Sequence, residues 1–361
     1  MAGRSRGALA DLSARRIALI KPSALGDIVH ALPVLTALRR RFPDARICWV
    51  VNRVYEPLLA GHPDLDETLP FDRGAARHGV LRALDSYRRF AAELRRRRFD
   101  LVIDLQGLFR SGVMAWASGA PRRVGLGCAR EGARWFYTDI VPVAGYEQTH
   151  AVDRCWRMAE ALGAADRPPR FVVPVRADAR LWAAERLAPL PRPWLMLAVG
   201  SRWRTKRWPP EHFAALADHA LRRLGGSAVF VGGGDEADLA RRVAGRLSAP
   251  TLDLSGKTTL PQLAAVLERA DVMLANDSGP LHLAAALGRP VVAPYTCTQT
   301  AQNGPYQNNG GGAVETRLAC GGSYLRRCPT HMECMAELTP DRLTPLLDEV
   351  FAAWPSPRRT A

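Results

Sequence analysis

RRIALIKPSALGDIVHALPVLTALRRRFPDARICWVV, residues 15–51, decides the fold. Residues 15–23 are a short apolar run ending in a loop. Residues 27–43 carry helical periodicity, closed by Pro43. Residues 45–51 are a second apolar run of strand length. A charged helix is expected over 81–98, and DLVIDLQG (100–107) reads as a third strand. Strand, helix and strand joined by short connections predict a parallel sheet covered on both faces, with right-handed crossovers.

The pattern restarts after a Pro-rich stretch. RPPRFVVPV (167–175) and PLPRPW (189–194) bracket the expected linker and the first helix beyond it. From there strands and helices alternate. WLMLAVGS (194–201), SAVFVGGG (227–234), TLDLSG (251–256), DVMLANDSG (271–279) and RPVVAPYT (289–296) read as strands running into loops. PPEHFAALADHALRRLG (209–225), DEADLARRVAGRL (235–247), LPQLAAVLERA (260–270) and PLHLAAALG (280–288) read as helices. Segment 297–334 is Gly- and Cys-rich and reads as irregular, and a helix is expected over 339–354. The chain is α/β, and the strand-to-helix loops at the carboxyl ends of the strands are where function belongs.

Composition agrees. A chain of 361 residues exceeds the size at which a single core stops growing, so two domains are expected. No apolar run is long enough to span a bilayer, and residues 1–16 lack the apolar core of an export signal. Seven cysteines without an export signal fit reduced thiols and a cytoplasmic setting. Cys320, Cys328 and Cys334 match no standard zinc spacing, so no metal site is expected there. The net charge is +15, yet only Lys21, Lys206 and Lys257 among the 50 basic residues are lysine. An arginine bias of that kind weakens any inference to nucleic acid, and no aromatic-interleaved basic groove accompanies it.

Five loops hold candidate chemistry. In Lys21–Asp27, a glycine ahead of a helix lets the backbone approach a ligand, and Asp27 is either the helix cap or a general base. Gly200–Pro209 carries four cations, two hydroxyls and two indoles before a helix, ingredients suited to a pyrophosphate. Gly232–Ala237 matches GxGxxA, with Asp253 further on, and Glu236 is placed to accept from ribose hydroxyls or to favour a helix dipole. Ser255-Gly256-Lys257-Thr258 resembles a P-loop tail, but Thr251 stands where the motif needs glycine. Asn276–His282 offers a carboxylate, a hydroxyl and free N–H groups at a helix start. A Ser278–His282–Asp277 triad is excluded, because three residues round one helix start cannot form the required linear chain.

Lys-Pro-Ser-Ala-Leu-Gly-Asp at 21–27, Asp-Leu-Gln-Gly-Leu at 104–108, Lys-Arg-Trp-Pro at 206–209 and Asn-Asp-Ser-Gly-Pro-Leu-His-Leu at 276–283 together resemble glycosyltransferase family 9. That family includes the ADP-heptose:lipopolysaccharide heptosyltransferases. The resemblance implies a GT-B fold, two Rossmann-like domains with parallel sheets facing an interdomain cleft. It implies an acceptor domain over 15–175, a nucleotide-sugar domain over 176–338, and a helix at 339–354 crossing back to the first domain. It further implies an inverting, metal-independent transfer of heptose from ADP-heptose to the inner core of lipopolysaccharide, without a cofactor. Asp27 matches the general base. Ser201 and Lys206 match phosphate contacts and Glu236 a ribose contact. Asp277, Ser278, Gly279 and His282 match the loop that holds the donor. Ser23, Gly26, Gln106, Gly107 and Arg110 are the candidates on the acceptor side. The expected setting is cytoplasmic, at an anionic membrane surface.

The sequence departs from the family pattern at two places. Tyr295-Thr296-Cys297-Thr298-Gln299-Thr300 replaces a Gly-Pro-Thr type turn, and Asn308-Asn309-Gly310-Gly311-Gly312 is an unfamiliar insertion, within a Gly/Asn-rich stretch at 303–313. Both leave open another nucleotide sugar or acceptor, and the basic helix ends at 39–41 and 95–98 motivate the remaining alternative, a non-catalytic sugar-binding relative.

Overall fold

The computed structural model describes residues 8–72 and 80–352. The chain divides after Pro174 into two compact units. The first unit holds six strands: β1 (Arg16–Ile20), β2 (Arg46–Asn52), β3 (Glu67–Phe71), β4 (Leu101–Asp104), β5 (Arg122–Leu126) and β6 (Asp139–Val141). They form one parallel sheet in the order β3-β2-β1-β4-β5-β6. The second unit repeats the plan with β7 (Trp194–Ala198), β8 (Ser227–Phe230), β9 (Thr251–Asp253), β10 (Val272–Ala275), β11 (Val291–Tyr295) and β12 (Gly312–Glu315). Its order is β12-β11-β10-β7-β8-β9, again wholly parallel.

Both sheets are doubly wound, and in each the chain reverses direction across the sheet between its first and fourth strands. That switch point leaves a crevice at the strands' carboxyl ends. In the first unit it lies between β1 and β4, in the second between β7 and β10. The central strands are apolar on both faces, as a sheet covered on both sides requires: β1, β2, β7, β10 and β11 are almost wholly buried. Trp208, Phe213 and Phe230 anchor the second core.

Several elements were not evident from the sequence. β3 carries Pro70 and β6 has three residues; both are edge strands. A proline that breaks a central strand is tolerated at an edge, where its missing N–H faces no neighbour. β5 opens on two arginines, and Arg122 reaches Asp139 on β6 in a half-buried ion pair. β12 lies within the segment read as irregular. Its register on β11 supplies an alignment that local sequence does not.

The closing helix is observed as Thr344–Ala352, after a 3₁₀ turn at Pro340–Arg342; residues 353 and 354 of the expected span lie outside the described residues. Its Leu347, Val350 and Phe351 are buried in the second unit's core beside Leu216 and Leu338. These three side chains are therefore part of the second unit's core. No described helix is long and apolar enough to cross a membrane.

Candidate functional site

In the second unit, the loops after β7 and β10 meet because β7 pairs with β10. Asn276 joins them: its Oδ1 accepts from the Trp208 backbone N–H (3.0 Å), and its Nδ2 donates to the Val199 carbonyl (2.8 Å). Trp208 is fully buried and its indole N–H donates to the Leu338 carbonyl (2.7 Å). Of the two loop indoles, this one is structural. The other, Trp203, carries Lys206 Nζ 4.7 Å above its ring, with Arg326 5.1 Å from the same ring.

Asp277 is the centre of the arrangement. Lys206 Nζ donates to its Oδ2 (2.6 Å), Thr298 Oγ1 donates to the same oxygen (2.7 Å), and His282 Nε2 lies 3.3 Å from Oδ1. Ser201 Oγ donates to the Asp277 backbone carbonyl (3.1 Å). Burial opposes the charge on Asp277, but the His282 hydrogen bond and the Lys206 charge outweigh it and hold the carboxyl well below the usual carboxylate range. An aspartate depressed in the folded state stabilises the fold fully above the unfolded value of about pH 4, and that contribution is lost as pH falls from there toward the folded value. Asp277→Asn should therefore melt lower at neutral pH and show a shallower acid limb in a plot of Tm against pH. Parallel acid limbs would remove Asp277 from the balance.

The helix Gly279–Ala286 begins beside this carboxylate. Ser278 occupies its cap position, yet its side chain does not cap the helix. Its Oγ is buried and has no partner among the described residues. An unmade hydrogen bond at a helix N-terminus is a place for an anion to dock.

Glu236 reaches the same place through three glycines. Its Oε2 accepts from the Gly233 N–H (3.1 Å). A Cβ on Gly200 or on Gly232 would overlap the Glu236 carboxyl, so both glycines are there to admit it. Gly256 has φ +70° and packs its Cα against Gly234, which keeps the turn tight. Burial pushes the Glu236 carboxyl up. Gly200→Ala should displace Glu236 and, on the expectation of an ADP-sugar donor, weaken ADP binding about tenfold, the worth of roughly one hydrogen bond. In a double-mutant cycle with Glu236→Ala the two losses should not add, since both act through one carboxylate. Additive losses would separate Gly200 from Glu236.

In the first unit, the loops after β1 and β4 meet in the same way. The helix runs Leu25–Arg41, so Gly26 lies inside its first turn and Ala24 is the cap residue. This corrects the reading of Asp27 as the cap. Asp27 sits three residues further in, and its Oδ2 accepts from the Ala24 N–H (2.8 Å). Its Oδ1 lies 3.9 Å from Lys21 Nζ, and its side chain is exposed. Lys21 is buried and donates to the Leu105 carbonyl (2.8 Å), tying the two loops together. Ser23 lies in the same β1 loop.

The β4 loop is shaped by Asp104, fully buried at the strand end. Its Oδ1 accepts from the Gln106 (2.8 Å) and Gly107 (3.1 Å) N–H groups, and its Oδ2 from the Tyr137 hydroxyl (2.7 Å). Burial pushes the Asp104 carboxyl up. Gly107, at φ +66°, makes the turn against Ala129. Gln106 Oε1 is buried without a partner among the described residues. Arg110 is exposed in the first turn of the helix Phe109–Ala117.

The structure thus gathers Ser201, Lys206, Glu236, Asp277, Ser278, Gly279 and His282 in the second unit, and Ser23, Gly26, Asp27, Gln106 and Gly107 at the switch point of the first. Thr298 and Arg326 were missed. Thr298 follows β11, next to β10 in the sheet, so a search of every carboxyl-end loop would have found it. Arg326 comes from an irregular segment and carries no such signal. Cys297, Cys320, Cys328 and Cys334 are free thiols lining one small pocket with Met332 and Thr205. Among the described residues no group of three His, Cys, Asp or Glu is placed to hold a metal ion.

The family model "Glycosyltransferase family 9 (heptosyltransferase)" matches residues 87–329. Lipopolysaccharide heptosyltransferase 1 of Pseudomonas aeruginosa is 34% identical over 305 residues, covering 81% of this chain and 81% of that protein. A family 9 glycosyltransferase structure from Veillonella parvula superposes with a TM-score of 0.84 at 24% identity, over 94% of this chain and 98% of that one. The structure of Escherichia coli ADP-heptose lps heptosyltransferase II gives a TM-score of 0.74 at 25% identity, over 93% and 98%. The fold class is GT-B, two Rossmann-like α/β units each built on a parallel sheet.

Proposed function

This chain belongs to glycosyltransferase family 9, and we propose that it moves heptose from ADP-heptose to the inner core of lipopolysaccharide, with inversion at the sugar carbon. The observation that carries the proposal is the anion-ready helix start at Ser278–Gly279, with Lys206, Asp277 and His282 beside it and Glu236 adjacent. The second unit holds the nucleotide sugar. Lys206, Ser201 and the helix N-terminus face the pyrophosphate, and Glu236 accepts from the ribose. Asp277, whose carboxylate form its neighbours favour, keeps Lys206 and His282 in place. Negative charge grows on the ADP oxygen as the glycosidic bond breaks, and a fixed cation and N–H dipoles stabilise it without reorganising. This reading assigns that task to the protein and calls for no metal or cofactor.

The first unit presents the acceptor. Asp27 Oδ2 is engaged by Ala24 N–H, which leaves Oδ1 for the acceptor hydroxyl. That oxygen removes the proton as the hydroxyl attacks the anomeric carbon, a single displacement. Ser23, Gly26, Gln106, Gly107 and Arg110 orient the acceptor, and the work takes place at the cytoplasmic face of an anionic membrane. The test is a donor screen with ADP-heptose, other nucleotide sugars and deacylated inner-core acceptor, following nucleotide release. Turnover with ADP-heptose alone is the expected result. Turnover only with a different nucleotide sugar would retain the machinery and replace the sugar, a reading favoured by the altered Tyr295–Thr300 turn. No turnover with any nucleotide sugar would leave a non-catalytic sugar binder.

A further inference from the structure

The helix Phe109–Ala117 and the 3₁₀ turn Ala133–Phe136 build an aromatic surface that the reaction itself does not use. Phe109 and Trp116 are seven residues apart, so they share one face of the helix. Gly112 lies between them, and a Cβ there would overlap the Phe136 ring and the Ala133 backbone, so the two elements lie in direct contact. The Phe109 and Phe136 rings meet edge to face at 5.5 Å. Despite this packing, Trp135 is 84% exposed, Trp116 61% and Phe109 49%. Single exposed apolar side chains are ordinary, but three large aromatics exposed on two touching elements concentrate apolar surface that water disfavours.

The same elements carry cations. Arg110, Arg130 and Arg134 are exposed and form no ion pair with a described residue, and Glu131 is the carboxylate that accompanies them. The patch adjoins the acceptor-side turn. The Arg130 N–H donates to the Gly107 carbonyl (2.8 Å), Ala129 packs on Gly107, and Phe109 opens the helix two residues after it.

We infer that this aromatic and basic surface docks the first unit onto an anionic lipid bilayer, with the Gln106–Gly107 turn at its margin. Indoles suit the headgroup layer, where the ring is apolar and its N–H stays wet. Arginines add attraction to anionic lipid that fades within a Debye length. The lipid identity rests on the reading, proposed above, that the acceptor is met at an anionic membrane; the surface rests on its own geometry.

Co-sedimentation of the full chain with vesicles of phosphatidylglycerol and phosphatidylcholine tests it without any nucleotide sugar. Binding should exceed that to pure phosphatidylcholine and should weaken as salt rises. The double variant W116S/W135S should lose about tenfold or more in partitioning, and R130Q/R134Q about fivefold per arginine, from roughly 1 kcal/mol for each cation near the surface. W116S/W135S should keep its Tm, because both rings are largely in water, and should keep its turnover of deacylated acceptor. Vesicle binding that ignores lipid charge, or that survives W116S/W135S, would overturn the inference. So would a concentration-dependent dimer in sedimentation velocity that the variant abolishes, since the patch would then meet a second copy. If the donor screen fails while vesicle binding behaves as described, the lipid surface stands and the acceptor reading falls.

Discussion

Asp27→Asn should reduce kcat by about 10²–10⁴-fold, the usual span for a general base, while ADP binds as in the wild type. The choice of asparagine follows from the geometry. Asp27 Oδ2 accepts the Ala24 N–H at 2.8 Å, and an asparagine oxygen can accept the same bond. The variant keeps the helix start and removes only the basicity. Asp27→Ala removes both, so it should be equally inactive and also melt lower, because lost helix-cap bonds cost about 0.5–2 kcal/mol. The pair separates the two roles that residue type alone leaves open. If Asp27→Asn kept more than about a tenth of the activity while Asp27→Ala lost it, Asp27 would be structural. Nucleotide binding should be untouched in both, since the donor residues belong to the other unit.

Lys206→Ala should lower kcat by about 10²–10³-fold, the loss seen when one group that stabilises developing negative charge is removed. It should also weaken ADP binding and flatten its salt dependence, because a cation facing phosphate is lost. Lys206 is preorganised twice, by its 2.6 Å bond to Asp277 and by the Trp203 ring beneath it. Without the ammonium, Asp277 retains Thr298 and His282, so the fold should survive with a loss of about 1–3 kcal/mol. Lys206→Arg should restore little, because a planar fork does not occupy the place of a compact ammonium. A Lys206→Ala protein that binds ADP as tightly as the wild type would turn the Lys206–Asp277 pair into a purely structural bridge.

The sequence made most of the site legible because its signals are local. Asn276–His282 sits between an apolar strand and an apolar helix, so chain order alone puts a carboxylate and a hydroxyl at a helix start. The glycines at 232–234 announce a tight turn. The edge strands were not legible: β3 contains a proline, β6 has three residues, and β12 begins on a glycine. Such strands owe their conformation to the neighbour they pair with, and pairing is not written in a short segment. Asp27 shows the limit from the other side. Its neighbourhood predicts a helix start, yet whether it is the cap or the third residue is one backbone turn's difference, set by where Ala24 leaves the helix.

Taken by itself, the sequence determined two α/β halves, the order of their central strands and helices, and the loops to which the chemistry is assigned in the proposal. Hydrophobic period and glycine or proline punctuation are short-range properties, and they decide those things. The tertiary structure alone decided which side chains meet. Lys206, Asp277 and Thr298 come from three loops and His282 from the helix after β10, and they converge because β10 pairs with both β7 and β11. Glu236 reaches the start of the loop after β7 because Gly200 and Gly232 leave room. Leu347, Val350 and Phe351 of the closing helix join the second core through packing that chain order does not specify. The aromatic surface at Phe109, Trp116 and Trp135 is likewise a product of packing. Those residues lie up to 26 positions apart (135 − 109), and the contacts at Gly112 and Phe136 bring their two elements together.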